Sequence, residues 1–253
     1  MDDLSKTESV CPPRASAQIQ KMRGLLREID MQVLELWRYP VKSMRGERQK
    51  QVTLKKTGIE GDRNIVVVSQ ADDRVITART HPGLLGLQAS FCSGVTLIEG
   101  HPWHSPQALA LTRKAAGEPV RLYDAGEHPE RFDILPLLVA TDGAVQALDI
   151  DMRRLRPNIV IGEIAGQAER GWSGSSLRSG EVVINVMQLR RRCVMTTYDP
   201  DTLRQDFDIL RNIVAQVDGK LALDCSVGSP GILAEGDPVS LDKPPIDQER
   251  NAL

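Results

Sequence analysis

From Met31 onward the chain is a succession of short apolar and β-branched runs, each ended by turn residues, which is the pattern of a strand-rich fold. Val33-Leu34-Glu35-Leu36-Trp37 opens the series. Gln51 to Leu54, Asn64 to Ser69, Val75 to Ala78, Val120 to Tyr123, Pro157 to Ile161 and Glu181 to Met187 continue it, and Leu84 to Ser90 and Val95 to Glu99 read as two more strands. His101 to Pro106, punctuated by two prolines, reads as a loop. Helical signals are few. Thr80 to Leu85 suits a short turn, Leu138 to Leu148 carries Thr141-Asp142-Gly143 as capping residues, and Phe207 to Val214 suits helix or strand. Gly231 to Leu241 forms two strand pieces about a Gly-Asp turn. The expected class is mainly β with a few helices (α+β), closed into a barrel or related sheet.

The 253 residues suffice for one large domain or two small ones. A net charge of −2 and 4% aromatic residues give neither bulk affinity for polyanions nor a base-stacking surface, so no nucleic acid is expected as a stable partner. No apolar run approaches the roughly 20 residues of a membrane span, and the N-terminus lacks the apolar core of a signal peptide. Cys11, Cys92, Cys193 and Cys225 form no C-x-x-C pair and no short cluster, which removes zinc-ribbon, thioredoxin and ferredoxin readings and points to a reducing cytoplasm. Cys92 and Cys225 read as packing residues and Cys11 as an exposed thiol. His101 and His104 look like a metal pair only superficially, having no carboxylate or cysteine nearby in sequence.

The first thirty residues differ from the rest. Met1 to Ala17 is polar and broken by Cys11-Pro12-Pro13, after which Ile19, Met22, Leu25, Leu26 and Ile29 recur at helical spacing. Residues 1–30 are expected to be an accessory extension or an over-long start, the compact domain beginning at Met31. Residues 242–253 read as a polar tail.

The chemistry concentrates around Arg190-Arg191-Arg192-Cys193. A cysteine directly after three arginines sits in a positive local field, which favours the thiolate that ligates a soft metal or attacks an electrophile. A buried strand cysteine after a basic run would look the same. Three further segments set basic or polar residues at strand ends: Tyr39-Pro40-Val41-Lys42-Ser43, Gly61-Asp62-Arg63 and Leu155-Arg156-Pro157-Asn158. Such residues suit an anionic ligand, although solvated surface charge accounts for any one of them singly. Asp199-Pro200-Asp201-Thr202 reads as a turn that fixes the end of the Cys193 segment; Asp199 is also a candidate proton relay.

Together these stretches resemble the molybdenum-cofactor sulfurase C-terminal (MOSC) family, and within it the branch of the mitochondrial amidoxime-reducing component and its bacterial relatives. Leu36 to Ser43, Gly61-Asp62-Arg63, Ile76-Thr77-Ala78-Arg79, Arg156 to Ile161, Arg192 to Thr202 and Gly236 to Val239 occur in the family's order, from about Met31 to Leu241. The resemblance implies a MOSC β-barrel of residues 31–63 plus 130–241, an inserted β-rich subdomain of residues 64–128, and a cofactor groove between them. It puts Cys193 where the family ligates molybdenum. It puts Lys42, Ser43, Arg63, Arg156, Asn158 and Arg192 where the family holds the pterin and its phosphate. Two departures stand out: Phe132-Asp133-Ile134-Leu135-Pro136 lacks the small hydroxyl residues of those relatives, and Asp224 replaces an aromatic neighbour of the cofactor.

The implied activity is that of a molybdenum-cofactor (Mo-molybdopterin) oxidoreductase reducing small N-hydroxylated substrates, amidoximes or hydroxylamines, with electrons from a separate electron-transfer protein. Cys193 and Asp199 are the candidate catalytic residues. Two alternatives stay open on the residues alone: a non-catalytic carrier of the cofactor or of persulfide sulfur on Cys193, and a pyridoxal-phosphate-type ligand site, which lacks a compelling Schiff-base lysine.

Overall fold

The computed structural model describes residues 31–126, 128 and 131–243. The expected N-terminal extension, with its short helix and Cys11, lies outside the described residues, as does the tail beyond residue 243. Asp242, placed in that tail by the sequence, instead ends a strand.

The chain is strand-rich, and the described residues form three α-helices, Pro106–Ala116, Asp142–Gln146 and Phe207–Val217. Its largest sheet has eight strands, in the order Ser240–Asp242, Ser176–Ser179, Val182–Arg191, Lys220–Ser229, Leu137–Thr141, Ile159–Gly162, Gln32–Arg38 and Glu47–Gln49. The order has two ends, so the expected closed barrel is an open sheet in its hydrogen bonding. Among the described residues are three smaller sheets of three strands each, in one of which Gly231–Ala234 pairs with Gln51–Lys55.

One parallel pair in the large sheet, Leu137–Thr141 beside Ile159–Gly162, organises the rest. Parallel neighbours need a crossover, here made by the helix Asp142–Gln146 and the 3-10 turn Met152–Leu155. Both strands are buried throughout. Leu137 and Val139 point into one core with Val33, Leu36, Ile159 and Ile161, while Leu138 and Ala140 point into another with Val145, Ile213 and Val217. That two-sided burial explains why Leu138 to Leu148 reads as a helix in sequence. An apolar run covered on both faces has no period of two to betray it. Only the second half is helical, begun by the Thr141 side chain, which accepts from the Ala144 N–H.

A third core gathers Val41, Met44, Ile65, Val67, Leu84, Ala89 and Ile98 against the helix Pro106–Ala116. The sequence reading ended a loop at Pro106 and missed this helix. Pro106 is its first turn, Ser105 accepts from the Ala108 N–H, and Gly117 closes it at φ 74°. Leu84 to Ser90 is likewise no strand: a 3-10 turn runs Pro82–Gly86, and the strand is Ala89–Cys92. Cys92 is exposed at the end of that strand and is not a core residue, whereas Cys225 is buried.

The crossover requires a glycine at position 143. A Cβ there would lie 2.0 Å from the Ile164 carbonyl oxygen, while a Cβ at Gly171 would meet nothing within 4 Å. Gly143→Ala should therefore destabilise the fold by about 1–3 kcal/mol, the usual cost of overpacking, with Gly171→Ala near neutral. Chemical denaturation of both variants checks this; equal midpoints would contradict it.

Candidate functional site

A cavity of about 390 Å³ opens where the end of the parallel pair meets the segments carrying Lys42, Arg63 and Arg79. Its size is that of a small-molecule site. Lys42, Ser43, Arg63, Arg156, Asn158, Arg192 and Cys193 all line it, so residues far apart in sequence meet in one place. Among the described lining residues nine are Lys or Arg and one, Asp133, is a carboxylate.

The backbone delivers these side chains at a cost. Ser43, Arg63 and Arg156 have φ of 71°, 54° and 57°, the left-handed region that costs non-glycine residues roughly 1–2 kcal/mol each. Strain of this kind gathers where a site must be held in shape. Arg156 occupies the left-handed position that ends the 3-10 turn Met152–Leu155. Lys42 is fixed by its N–H, which donates to the Ile65 carbonyl at 2.9 Å.

Tyr39 ties the Arg63 and Arg156 end of the cavity together, a role the sequence did not suggest. Its buried ring carries the Arg156 guanidinium at 4.3 Å and the Arg63 guanidinium at 4.9 Å. Asp62, wholly buried, accepts from the Tyr39 N–H at 2.7 Å and pairs with Arg63. Burial pulls the Arg156 guanidinium down to about 10, and the like charge of Arg63 adds to the effect. Burial also pushes the Tyr39 hydroxyl up to about 12, although both arginines oppose this. Asn158 is largely engaged by protein: Oδ1 accepts from Leu138 N–H at 3.2 Å and Arg63 Nη1 at 3.3 Å, and Nδ2 donates to the Trp37 carbonyl at 3.3 Å.

The other end is built around the arginine run. Arg192 donates from Nη2 to the Leu155 carbonyl at 2.9 Å, and burial, then the charge of Arg190, draws it down to about 10. Its Nε is buried with no hydrogen-bond partner. A buried cationic donor without a partner costs free energy. Asp224 does not line the cavity; it is buried behind it, with Arg190 Nε 2.5 Å away and Gln188 Nε2 at 3.3 Å. Burial raises its carboxyl above the usual range against the pull of Arg190. Cys193 begins the 3-10 turn Val194–Thr197, its carbonyl accepting from Thr196 Oγ1 at 2.9 Å.

Asp199 is not brought into this cavity. It lines an adjoining hollow of about 250 Å³ with Tyr198 and Asp201. One carboxylate oxygen accepts from Asp201 N–H, Thr202 N–H and Thr202 Oγ1 at 3.1, 2.8 and 2.9 Å; the other accepts from Arg154 at 3.1 Å. Those Thr202 hydrogen bonds, ahead of the others, hold its carboxyl below the ordinary range.

Two residues at the cavity mouth were not singled out from sequence. Asp133 accepts from Arg79 Nη2 at 2.6 Å and lies 3.0 Å from Lys42 Nζ. Arg79 and Cys193 line the same cavity. Both Arg79 and Asp133 stood in quoted stretches, Arg79 at the end of Ile76-Thr77-Ala78-Arg79 and Asp133 within the stretch noted for what it lacks.

With this geometry in view, the sequence comparisons decide the family. Residues 30–125 match the MOSC N-terminal beta barrel domain and residues 137–240 the MOSC domain. The chain belongs to the MOSC family. Among its relatives is the human mitochondrial amidoxime-reducing component 1, 25% identical over 72% of this chain and 70% of that protein. The mouse mitochondrial amidoxime-reducing component 1 is 23% identical over 83% of this chain and 82% of that protein. The YUAD protein of Bacillus subtilis, a solved structure, is similar at 11% identity and a TM-score of 0.47 over 85% of this chain and 97% of that one, too distant to carry argument. No described helix of this MOSC protein is long and apolar enough to cross a membrane.

The donor set fits a molybdenum cofactor. A soft sulfur stands beside an orphaned guanidinium, and clustered cations face a cavity of suitable size. Asp133 is the discordant element. Burial opposes its ionisation, but Lys42 and Arg79 outweigh burial and hold its carboxyl below the usual range. A depressed folded value means that the pairing stabilises the fold above the ordinary carboxylate range. That contribution is lost as pH falls through the folded value. Asp133→Asn should therefore lose less stability than wild type on acidification, seen as a shallower fall of Tm with pH. Parallel curves for the two proteins would refute the pairing.

Proposed function

We propose that this protein binds the molybdenum cofactor in the cleft lined by Cys193 and works as a reductase of N-hydroxylated compounds of the amidoxime or hydroxylamine type, fed by a separate electron-transfer protein. The observation that carries the reading is the meeting of the Cys193 sulfur with Lys42, Ser43, Arg63, Arg156, Asn158 and Arg192 in one cavity. The names of the human and mouse relatives support the reductase class. In this reading residues 31–63 with 130–241 form the MOSC half and residues 64–128 the inserted subdomain.

When bound, the cofactor would supply the two-electron chemistry for reducing an N–O group, with electrons from the separate partner. The chain's residues bind and orient it. Cys193 Sγ would hold its metal. Lys42, Arg63 and Arg156 neutralise the phosphate, the two guanidinium groups offering planar forks that a lysine lacks. The Ser43 hydroxyl keeps a proton to donate, since its oxygen is already an acceptor for the Ala78 N–H at 3.0 Å. Arg192 Nε supplies its unused donor. Asp199 acts as a positioning residue: through Arg154, whose Nη1 donates to the Thr197 carbonyl at 3.1 Å, it pins the turn that follows Cys193.

The test is expression in a host that makes the cofactor, followed by molybdenum and pterin analysis per chain. Wild type should carry both and reduce an aryl amidoxime with a chemical electron donor. Cys193→Ala should lose at least about 10²-fold in that activity, of the order seen when a directly acting group is removed. Wild type free of both molybdenum and pterin would refute the reading. Bound cofactor without turnover would make the protein a carrier, and a persulfide on Cys193 seen by mass spectrometry would make it a sulfur carrier.

A further inference from the structure

The cations lining the cavity meet their carboxylates in two ways. Arg63, Arg154 and Arg190 pair with Asp62, Asp199 and Asp224, none of which lines the cavity. A ligand within the cavity does not contend with those three for space. Asp133 differs. Among the described lining residues it is the one carboxylate, and it shares the cavity with both cations that it binds. One of its oxygens lies 3.0 Å from Lys42 Nζ, and the other accepts from Arg79 Nη2 at 2.6 Å.

Three separate segments supply this cluster. Lys42 is fixed by its N–H on the Ile65 carbonyl. Arg79 stands in a turn where the Thr77 carbonyl accepts from Thr80 N–H and His81 N–H at 3.1 and 2.9 Å. Asp133 comes from the connection between the strands Val120–Asp124 and Leu137–Thr141. Its side chain is 31% exposed and that of Arg79 40%, so water reaches the pairs. Ion pairs in contact with water have modest net strength, and a more highly charged anion can displace the carboxylate.

We propose that Asp133 is an internal competitor for the anion subsite: its carboxylate takes, at Lys42 and Arg79, the place of a ligand phosphate, and phosphate binding displaces it. The proposal rests on the reading of the cavity as the site of a phosphate-bearing ligand. A phosphate monoester carries nearly two charges at neutral pH against one on the carboxylate, so it attracts both cations more strongly. Displacement frees Arg79 as well as Lys42, which adds a planar guanidinium fork to the phosphate contacts. Asp133 thus acts as a latch that lowers the affinity of the cleft for anions.

The latch can be read without cofactor. On the full chain from a cofactor-deficient host, phenyl phosphate and phenyl sulfate are titrated calorimetrically at about pH 7.5, where the first is chiefly a dianion and the second a monoanion. Asp133→Asn should bind phenyl phosphate on the order of 10-fold more tightly than wild type, and phenyl sulfate on the order of 3-fold, because one opposing charge a few ångströms away is gone. Asp133→Ser should behave alike, and Asp133→Glu should stay near wild type. Lys42→Gln added to Asp133→Asn should cancel most of the gain. Asp242→Asn, which breaks an exposed pair with Arg178 outside the cavity, removes the same charge and should leave both affinities unchanged. Folded Asp133→Asn and Asp133→Ser that bind phenyl phosphate no more tightly than wild type would overturn the proposal, as would binding to none of these proteins. If the gain appears while wild type from a cofactor-making host carries neither molybdenum nor pterin, the latch stands and the cofactor reading fails. If wild type carries both and the gain is absent, the latch alone fails.

Discussion

The buried ring of Tyr39 allows two guanidinium groups to stand together at the end of the cleft. Arg63 and Arg156 repel one another, and burial penalises the Arg156 charge, as its lowered value records. The ring offers its electron-rich surface to both, an interaction worth up to about 2 kcal/mol apiece when desolvated. Asp62 adds a counter-charge and at the same time caps the Tyr39 N–H, so the strand end, the ring and the cation are fixed as a unit. Asn158 links that unit to the large sheet: its amide binds Trp37 and Leu138, on the strands either side of Ile159–Gly162, which it precedes.

Binding chemistry and stability pull in opposite directions here. The cleft concentrates nine basic side chains against one lining carboxylate, leaves Arg192 Nε without a partner, and holds three non-glycine residues at positive φ. Each feature costs free energy, and an anion would offset the first two. Asp133 relieves part of that cost by occupying Lys42 and Arg79, and Asp224 does the same for Arg190 behind the cavity wall. Asp133 and Asp224 are thus placed where they moderate the surplus positive charge of the lining.

Much of the site was legible in the sequence because its residues recur as short motifs at strand ends. Turns between strands expose side chains there, and a phosphate needs cations from several of them at once. Tyr39 stood in such a motif, but its part is tertiary: it clamps Arg63 and Arg156, which no spacing reveals. Arg79 and Asp133 escaped notice because their meaning lies in each other, across 54 positions of sequence. Asp199 looked equally like a relay and a turn former; its four accepted bonds are visible only in three dimensions. In the fold, alternating strands were readable and two-sided ones were not. The buried run Leu137–Thr141 mimics a helix, and Lys220–Ser229, crossing the sheet among buried neighbours, was not read as a strand at all. A proline at the first turn hid the helix Pro106–Ala116 behind an apparent loop.

The central claim is that the Cys193 sulfur is a ligand of molybdenum in this cleft. X-ray absorption at the molybdenum edge counts the sulfur atoms around the metal directly. On purified, cofactor-loaded protein the account predicts one sulfur beyond those of the pterin dithiolene, and loss of that one in Cys193→Ser. The same sulfur count in both proteins would contradict it.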